Sequence, residues 1–113
     1  MILNVPRPFR IGLFTLACVV VLWLSLTPVQ ALPSVDLWDK AQHALAYFVL
    51  ALLGAWAFPA LMPLAVALVL LGVGIEVLQG TMGLGRQGDP LDGLANTLGV
   101  LAGTGLALLG RRR

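Results

Sequence analysis

The stretch LWDKAQHALAYFVLALLGAWAF, Leu37 to Phe58, begins with charged and amide side chains and continues as an apolar run. From Trp38 to Phe58 it approaches the roughly 20 residues that a helix needs to cross a bilayer. His43 lies about one turn inside this predicted helix. An ionised side chain that faces lipid costs about 2.5–3.5 kcal/mol at mid-membrane, and less near the rim. A histidine with charged neighbours at this place therefore needs a structural or a chemical reason.

The composition of the whole chain points to lipid as its main solvent. Of the 113 residues, 59% are hydrophobic and 11% are charged, and the mean hydropathy is +0.97. A water-soluble domain of this size has too much surface for that composition. Three further apolar segments have near-spanning length: Phe9 to Leu26, Ala60 to Gln79 and Leu91 to Gly110. We therefore expect an all-α integral membrane four-helix bundle, a single domain over residues 1–113.

The basic residues predict how the bundle is oriented. Arg7 and Arg10 lie at the start of the first helix, and Arg111, Arg112 and Arg113 follow the last one. By the positive-inside rule, both termini face the cytoplasm, which an even number of spans permits. Arg7, Arg10 and the segment VQA ending at Ala31 also resemble a secretory signal with its cleavage site. Because Ile11 to Leu26 is slightly long for a signal core, we expect the segment to be retained as the first helix.

The acidic residues have a different distribution. All five fall at the predicted outer ends of helices two, three and four, and Lys40, Arg86 and His43 join them; the acids are Asp36, Asp39, Glu76, Asp89 and Asp92. Side chains three or four apart share a helix face. Three polar stripes are therefore predicted, one on each helix: Asp39, His43 and Tyr47 on the second, Glu76 and Gln79 on the third, and Asp92 and Asn96 on the fourth. The polar stripes avoid lipid only if the helices turn them toward one another.

This convergence predicts one site near the outer rim. The candidates for acid and base chemistry are His43, Glu76, Asp39 and Asp92. The candidate binding residues are Lys40, Tyr47, Gln79, Arg86, Asp89 and Asn96. Capping of helix N-termini is an alternative for Asp36 and Asp89, since acids are favoured there. It does not explain Glu76, which lies near a helix C-terminus where the dipole disfavours an anion.

No cofactor, metal or nucleic-acid partner is predicted. A divalent cation held by the four acid–base candidates is the weaker alternative, because one histidine among acids is not a strong metal signature. Cys18 lies in an apolar run and is expected to be a small buried hydrophobic residue. Gly99 and Gly103 form a G-x-x-x-G step that lets a neighbouring backbone approach closely, which also allows oligomerisation through this face.

Three motifs in order resemble a known family. DKAQHALAY has the form D-K-x-x-H-x-x-x-Y, EVLQ has the form E-x-x-Q, and RQGDPLDGLANTLG has the form R-x-x-D-x-x-D-x-x-x-N-x-x-G. From about Asp39 to Gly103, the chain resembles the VanZ-like family of small bacterial membrane proteins, whose named member is linked to teicoplanin resistance. The resemblance implies a multi-pass protein of the bacterial inner membrane. It also implies that the motif residues form one functional site.

Three functions are compatible with these features. The first is a small membrane protein that affects envelope properties or glycopeptide susceptibility through the outer polar site, with membrane lipids and a lipid-linked or cell-wall headgroup as partners. The second is an enzyme acting on such a headgroup, with His43 as general base and Arg86 and Lys40 attracting phosphate. The third, a small multidrug exporter, is the weakest, because the key glutamate of that class lies in the first helix. Phe9 to Leu26 contains no acid.

Overall fold

Four α-helices make up a computed structural model of the chain, which describes residues 5–26, 36–81 and 90–111. For Leu26, residues 36–40 and Pro90 it describes the backbone only. The helices are α1 (Arg7–Leu26), α2 (Asp36–Ala57), α3 (Leu61–Thr81) and α4 (Pro90–Arg111). No strand occurs in this part of the chain. The all-α four-helix prediction is confirmed, and each predicted helix end lies within two residues of the observed one.

Prolines set several of the helix starts. Pro90 is the first residue of α4, and Pro8 and Pro63 lie in the first turns of α1 and α3. A missing backbone N–H is tolerated there, because the first turn has no intrahelical partner for it. The carbonyl of Pro6 accepts hydrogen bonds from the backbone nitrogens of Phe9 and Arg10 at 3.0 and 3.2 Å. This turn starts α1 two residues earlier than the apolar run alone predicted.

The helices have the length and composition of membrane spans. α1 over Arg7–Ser25, α3 over Leu61–Thr81 and α4 over Leu91–Arg111 are each long and apolar enough to cross a bilayer. In α2 the first turns carry charged residues, and Ala41–Ala57 is the apolar part whose side chains are described. Large apolar side chains such as Met62, Leu70 and Trp23 are exposed on the outside of the bundle. A lipid environment accounts for this surface, whereas water would penalise it.

The tightest contact in the bundle joins α2 to α4. A Cβ atom on Gly99 would overlap the carbonyl of Ala44, and a Cβ on Gly103 would lie 2.6 Å from the Cβ of Ala51. Since Ala44 meets Gly99 and Ala51 meets Gly103, the two helices run parallel. The G-x-x-x-G step is thus used inside the chain, where a second copy would compete with α2 for it. Oligomerisation through these glycines stays a prediction.

The other helices run antiparallel to this pair. On α3, Gly72 lies against Tyr47 of α2 and Asn96 of α4, and a Cβ there would be 3.3–3.4 Å from their side chains. On α1, the ring of Phe14 meets that of Phe58 edge to face, with centroids 5.6 Å apart. α1 packs on α2 and α3 and has no close backbone approach to α4 within the described residues. The buried core consists of Tyr47, Leu50, Ala51, Leu64, Leu68 and Val100.

This arrangement gives the bundle two distinct ends. The His43 end contains the first turns of α2 and α4 and the last turns of α1 and α3. The arginine end contains the first turns of α1 and α3 and the last turns of α2 and α4, together with Arg7, Arg10 and Arg111. Every acid whose backbone is described lies at the His43 end.

Candidate functional site

His43 of α2 is held by two side chains of α4. Its Nδ1 lies 3.2 Å from Oδ1 of Asn96, and its Nε2 lies 3.8 Å from Oδ2 of Asp92. Asp92 and Asn96 are one helical turn apart, so their side chains extend from the same face toward the imidazole. The parallel packing of α2 and α4 makes this possible, because it places their N-terminal turns side by side. The predicted convergence of these two stripes is therefore seen directly.

The geometry assigns different roles to the two ring nitrogens. The amide Oδ1 of Asn96 only accepts hydrogen bonds, so the His43 Nδ1–H is the donor in this contact. Nε2 then faces the carboxylate of Asp92 at 3.8 Å, slightly longer than a hydrogen bond. The contact becomes an ion pair when Nε2 binds a proton. The contact with Asn96 thus favours the tautomer that carries its hydrogen on Nδ1, with Nε2 directed toward the carboxylate of Asp92.

The site is shielded although it lies near a helix end. Asn96 is 3% exposed and Asp92 is 7% exposed, while the side chain of His43 is 16% exposed. Buried polar groups of this kind are expected to be hydrogen-bonded, because an unmet donor or acceptor away from water is costly. The site is therefore a shallow polar cluster between helices with limited access from the rim.

Tyr47 lies one turn deeper than His43 on the same face of α2. It is 2% exposed, and its ring packs over Gly72 of α3. Its hydroxyl is buried and makes no hydrogen bond to any atom of the described part of the chain. The tyrosine thus lies one turn further into the bundle than the imidazole and places a hydroxyl group in the otherwise apolar core.

Glu76 of α3 lies against the start of α4. Its Cγ is 4.0 Å from the position that a Cβ would occupy on Gly93, the residue after Asp92. This is an ordinary van der Waals distance, so the stem of the glutamate packs beside α4, and the side chain remains partly accessible. This brings a second carboxylate to the His43 end of the bundle. A direct pairing of Glu76 with His43, which the sequence suggested, stays a prediction.

Gln79, a predicted binding residue, has an interhelical partner. Its Nε2 donates to the backbone carbonyl of Ser25 at 2.8 Å, and the residue is 2% exposed. Ser25 lies in the last turn of α1, where carbonyls lack intrahelical donors. Gln79 thus links the C-terminal turns of α1 and α3.

Four of the predicted site residues have no described side chain. Arg86 and Asp89 lie outside the described residues, as do the side chains of Asp39 and Lys40, whose backbone belongs to the first turns of α2. Among the side chains that are described, no group of three or more His, Cys, Asp and Glu residues is arranged to hold a metal ion.

The sequence did not predict the convergence at the arginine end. There Arg7, Arg10 and Arg111 donate to backbone carbonyls at the end of α2. A signal for it was present: α2 has no basic residue in its last turn, so its final carbonyls need donors from elsewhere. From the sequence, these arginines indicate only the orientation of the bundle.

Fold and site together define the class of the protein: an all-α four-helix bundle with helices that can span a membrane and a polar cluster between α2 and α4 at one end. Comparisons with models of known protein families, with curated proteins and with solved structures found no match.

Proposed function

We propose that the chain is a VanZ-like membrane protein of the bacterial inner membrane. In this proposal, the cluster around His43 binds the polar headgroup of an envelope lipid or cell-wall precursor. Binding there alters envelope properties and, with them, susceptibility to glycopeptide antibiotics. The observation that carries the proposal is the imidazole of His43 held between Asp92 and Asn96. The order of the three sequence motifs supports the family.

The proposed orientation places the His43 end outside the cytoplasm. The arginines at the opposite end favour the cytoplasmic side, and the segregation of the acids is consistent with this. Envelope precursors that have crossed the membrane expose their headgroups at the outer rim. A cluster one or two turns below that rim is well placed to meet them.

The chemistry of the cluster favours a ligand with amine and hydroxyl groups. Asp92 and Glu76 supply carboxylate acceptors, and Nε2 of His43 accepts or donates according to its protonation. Sugars and amino sugars present several donors in a small volume, which matches such a set. Lys40, in the second turn of α2, adds a cation at the same end for a phosphate of the same headgroup.

Two substitutions test the proposal. Glu76→Gln keeps the shape and hydrogen-bonding capacity of the side chain but removes the carboxylate charge. His43→Asn keeps an amide N–H that can donate to Asn96 but is smaller and removes the imidazole. We expect each variant to insert and melt like the wild type and to lose the envelope phenotype, measured as glycopeptide susceptibility of bacteria that express it. Gln42→Asn, an exposed neighbour on α2, is the control and should retain the phenotype.

Two outcomes would count against a ligand-binding site. Reduced folded protein in both variants would indicate that the cluster only clamps the helices together. A full phenotype in both variants at wild-type expression would show that neither group is needed for function.

The alternative function is a membrane enzyme acting on a lipid or cell-wall headgroup. The observation that favours it is the orientation of His43, whose Nδ1 is fixed by Asn96 while Nε2 faces a carboxylate. A general base needs a proton-accepting atom held in this way. Conversion of a lipid-linked precursor by the purified protein, lost in His43→Asn, would select the enzyme over the binding protein. An exporter has less support, since α1 contains no acid.

A further inference from the structure

Three arginines from two helices converge on the end of α2 opposite His43. Arg7 and Arg10 come from the first turn of α1, and Arg111 from the last turn of α4. Their guanidinium groups donate to five backbone carbonyls: Arg7 Nε to Ala57 at 3.2 Å, Arg10 Nη1 to Trp56 at 2.7 Å, Arg111 Nη1 to Pro59 at 2.6 Å, and Arg111 Nη2 to Ala55 and Phe58 at 2.7 and 3.0 Å. The last turn of α2 is thus capped from outside.

Aromatic rings hold two of these arginines in place. The guanidinium carbon of Arg10 lies 6.0 Å from the centre of the Trp56 ring, and that of Arg7 lies 5.9 Å from the centre of the Phe58 ring. Both distances are at the upper limit, about 6 Å, at which a cation is attracted to an aromatic face. The charged groups are therefore positioned before any ligand arrives.

The arginines line an open cavity of about 600 Å³ with residues 55–59. No carboxylate whose side chain is described lies at this end, because Glu76 and Asp92 belong to the His43 end. The helix dipoles do not compensate the charge either. Two helices begin here and two end here, so their terminal partial charges roughly cancel. Three positive charges thus remain around one cavity.

Capping leaves most of the donors unused. A guanidinium group has several N–H groups in a planar fork, and the five hydrogen bonds to carbonyls use only about a third of those that three groups carry. The Nε of Arg10 is buried and makes no hydrogen bond within the described residues. A phosphate matches such forks in charge and geometry, and pairs with them in a bidentate manner.

We propose that the arginine end binds the phosphate of an anionic phospholipid from the leaflet on that side of the membrane. The surrounding surface favours a lipid over a free phosphate. The first turns of α1 carry an apolar groove of about 330 Å³, lined by Pro8, Phe9, Gly12, Leu13 and Leu16, along which an acyl chain can lie. Basic pockets between membrane helices recognise anionic headgroups in this way. The site is separate from the His43 cluster and does not depend on the function proposed for it.

The wild-type protein alone provides the first test. Purified in a neutral detergent, it is offered phosphatidylglycerol and phosphatidylcholine with the same acyl chains, and retained lipid is measured by native mass spectrometry. We expect a preference for phosphatidylglycerol of roughly tenfold or more, and a higher melting temperature with it. Equal retention of the two lipids would overturn the proposal. Equal stabilisation by inorganic phosphate at millimolar concentration would overturn the lipid assignment in favour of a free anion.

A pair of double variants tests how much of the lipid preference depends on the positive charges of Arg7 and Arg10 and how much on their guanidinium groups. Arg7→Gln with Arg10→Gln removes two charges, whereas Arg7→Lys with Arg10→Lys keeps them; both lose the guanidinium forks. We expect the glutamine variant to lose most of the preference for phosphatidylglycerol. The lysine variant keeps the charges but not the bidentate forks, so we expect it to lose part of the preference and to lie between the glutamine variant and the wild type. An unchanged preference in the glutamine variant would contradict the proposal.

Discussion

His43 owes its position to two residues of α4 that lie about fifty positions further along the chain. The spacing of Asp92 and Asn96 predicted that they share a face, and both do face the imidazole. Residues four apart are offset by only about 40° around a helix, so such pairs point the same way. Glu76 and Gln79 are three apart and offset by about 60° in the other sense. That difference lets Gln79 turn to α1 while Glu76 stays beside α4.

The bond between Gln79 and Ser25 gives a prediction at this scale. Gln79→Leu keeps the volume but leaves the Ser25 carbonyl without its donor. Interhelical hydrogen bonds in membranes contribute on average about 0.6 kcal/mol, and a buried acceptor left unmet adds to this. We expect a loss of roughly 1 kcal/mol in the free energy of unfolding, measured by denaturation in detergent.

The matched control is Gln42→Leu, which changes an exposed glutamine at the same end of the bundle. It should leave the free energy of unfolding within about 0.5 kcal/mol of the wild-type value. An equal loss in both variants would mean that the contact to Ser25 contributes nothing specific.

At the scale of the helices, the sequence predicted where each helix begins and ends but not which helices pack against each other. Apolar length and prolines locate the spans, because both act locally on the chain. Which helices touch depends on the faces they present, and α3 is apolar on nearly every side over Leu61–Thr81. The G-x-x-x-G step of Gly99 and Gly103 predicted that the backbone of another helix approaches α4 closely. The sequence of α4 does not indicate that this helix is α2.

The α2–α4 contact can be tested with alanine. Gly99→Ala would place a methyl group into the backbone of α2 at Ala44. The two helices must then separate, and overpacking of this kind typically costs about 1–3 kcal/mol. We expect a lower melting temperature and, because His43 and Asn96 move apart, a weaker envelope phenotype.

Gly105→Ala is the control on the same helix, since a Cβ there has no atom within 4 Å. It should be neutral or slightly stabilising, because alanine favours helix more than glycine does. A Gly99→Ala protein as stable as the Gly105→Ala protein would contradict the close packing of α2 on α4.

The molecule as a whole is polar at its two ends and apolar between them. Among the residues whose position is described, the acids lie at the His43 end and Arg7, Arg10 and Arg111 lie at the arginine end. The sequence predicted this segregation from the positions of the charges alone, because alternate helix ends must meet on the same side of a bilayer. It missed that Arg7, Arg10 and Arg111 meet around one cavity, since convergence depends on how the helices pack.

Labelling of single cysteines tests the predicted topology. In a Cys18→Ala background, cysteines are placed at Gln87 and Arg113, and intact cells are treated with a thiol reagent that does not cross membranes. We expect labelling at position 87 and none at 113, because the arginines favour the cytoplasmic side. The reverse pattern would overturn the orientation.

Retention of the N-terminal segment also stays a prediction. Its helix α1 packs on α2 and supplies the carbonyl that Gln79 bonds. N-terminal sequencing of the mature protein distinguishes the two cases, since a start at Leu32 would mean that the segment had been cleaved.

The parallel contact of α2 with α4 has a consequence for biosynthesis. α1, α2 and α3 leave the ribosome first, and each of them contacts the other two in the complete bundle. Asp92 and Asn96 arrive only with the fourth helix, which must insert beside α2, made some fifty residues earlier. Until then, the imidazole of His43 lacks both of these partners, and the membrane insertion machinery or lipid must occupy the face that Gly99 and Gly103 later cover. A nascent chain stalled before α4 would therefore carry an incomplete site, however well its first three helices had assembled.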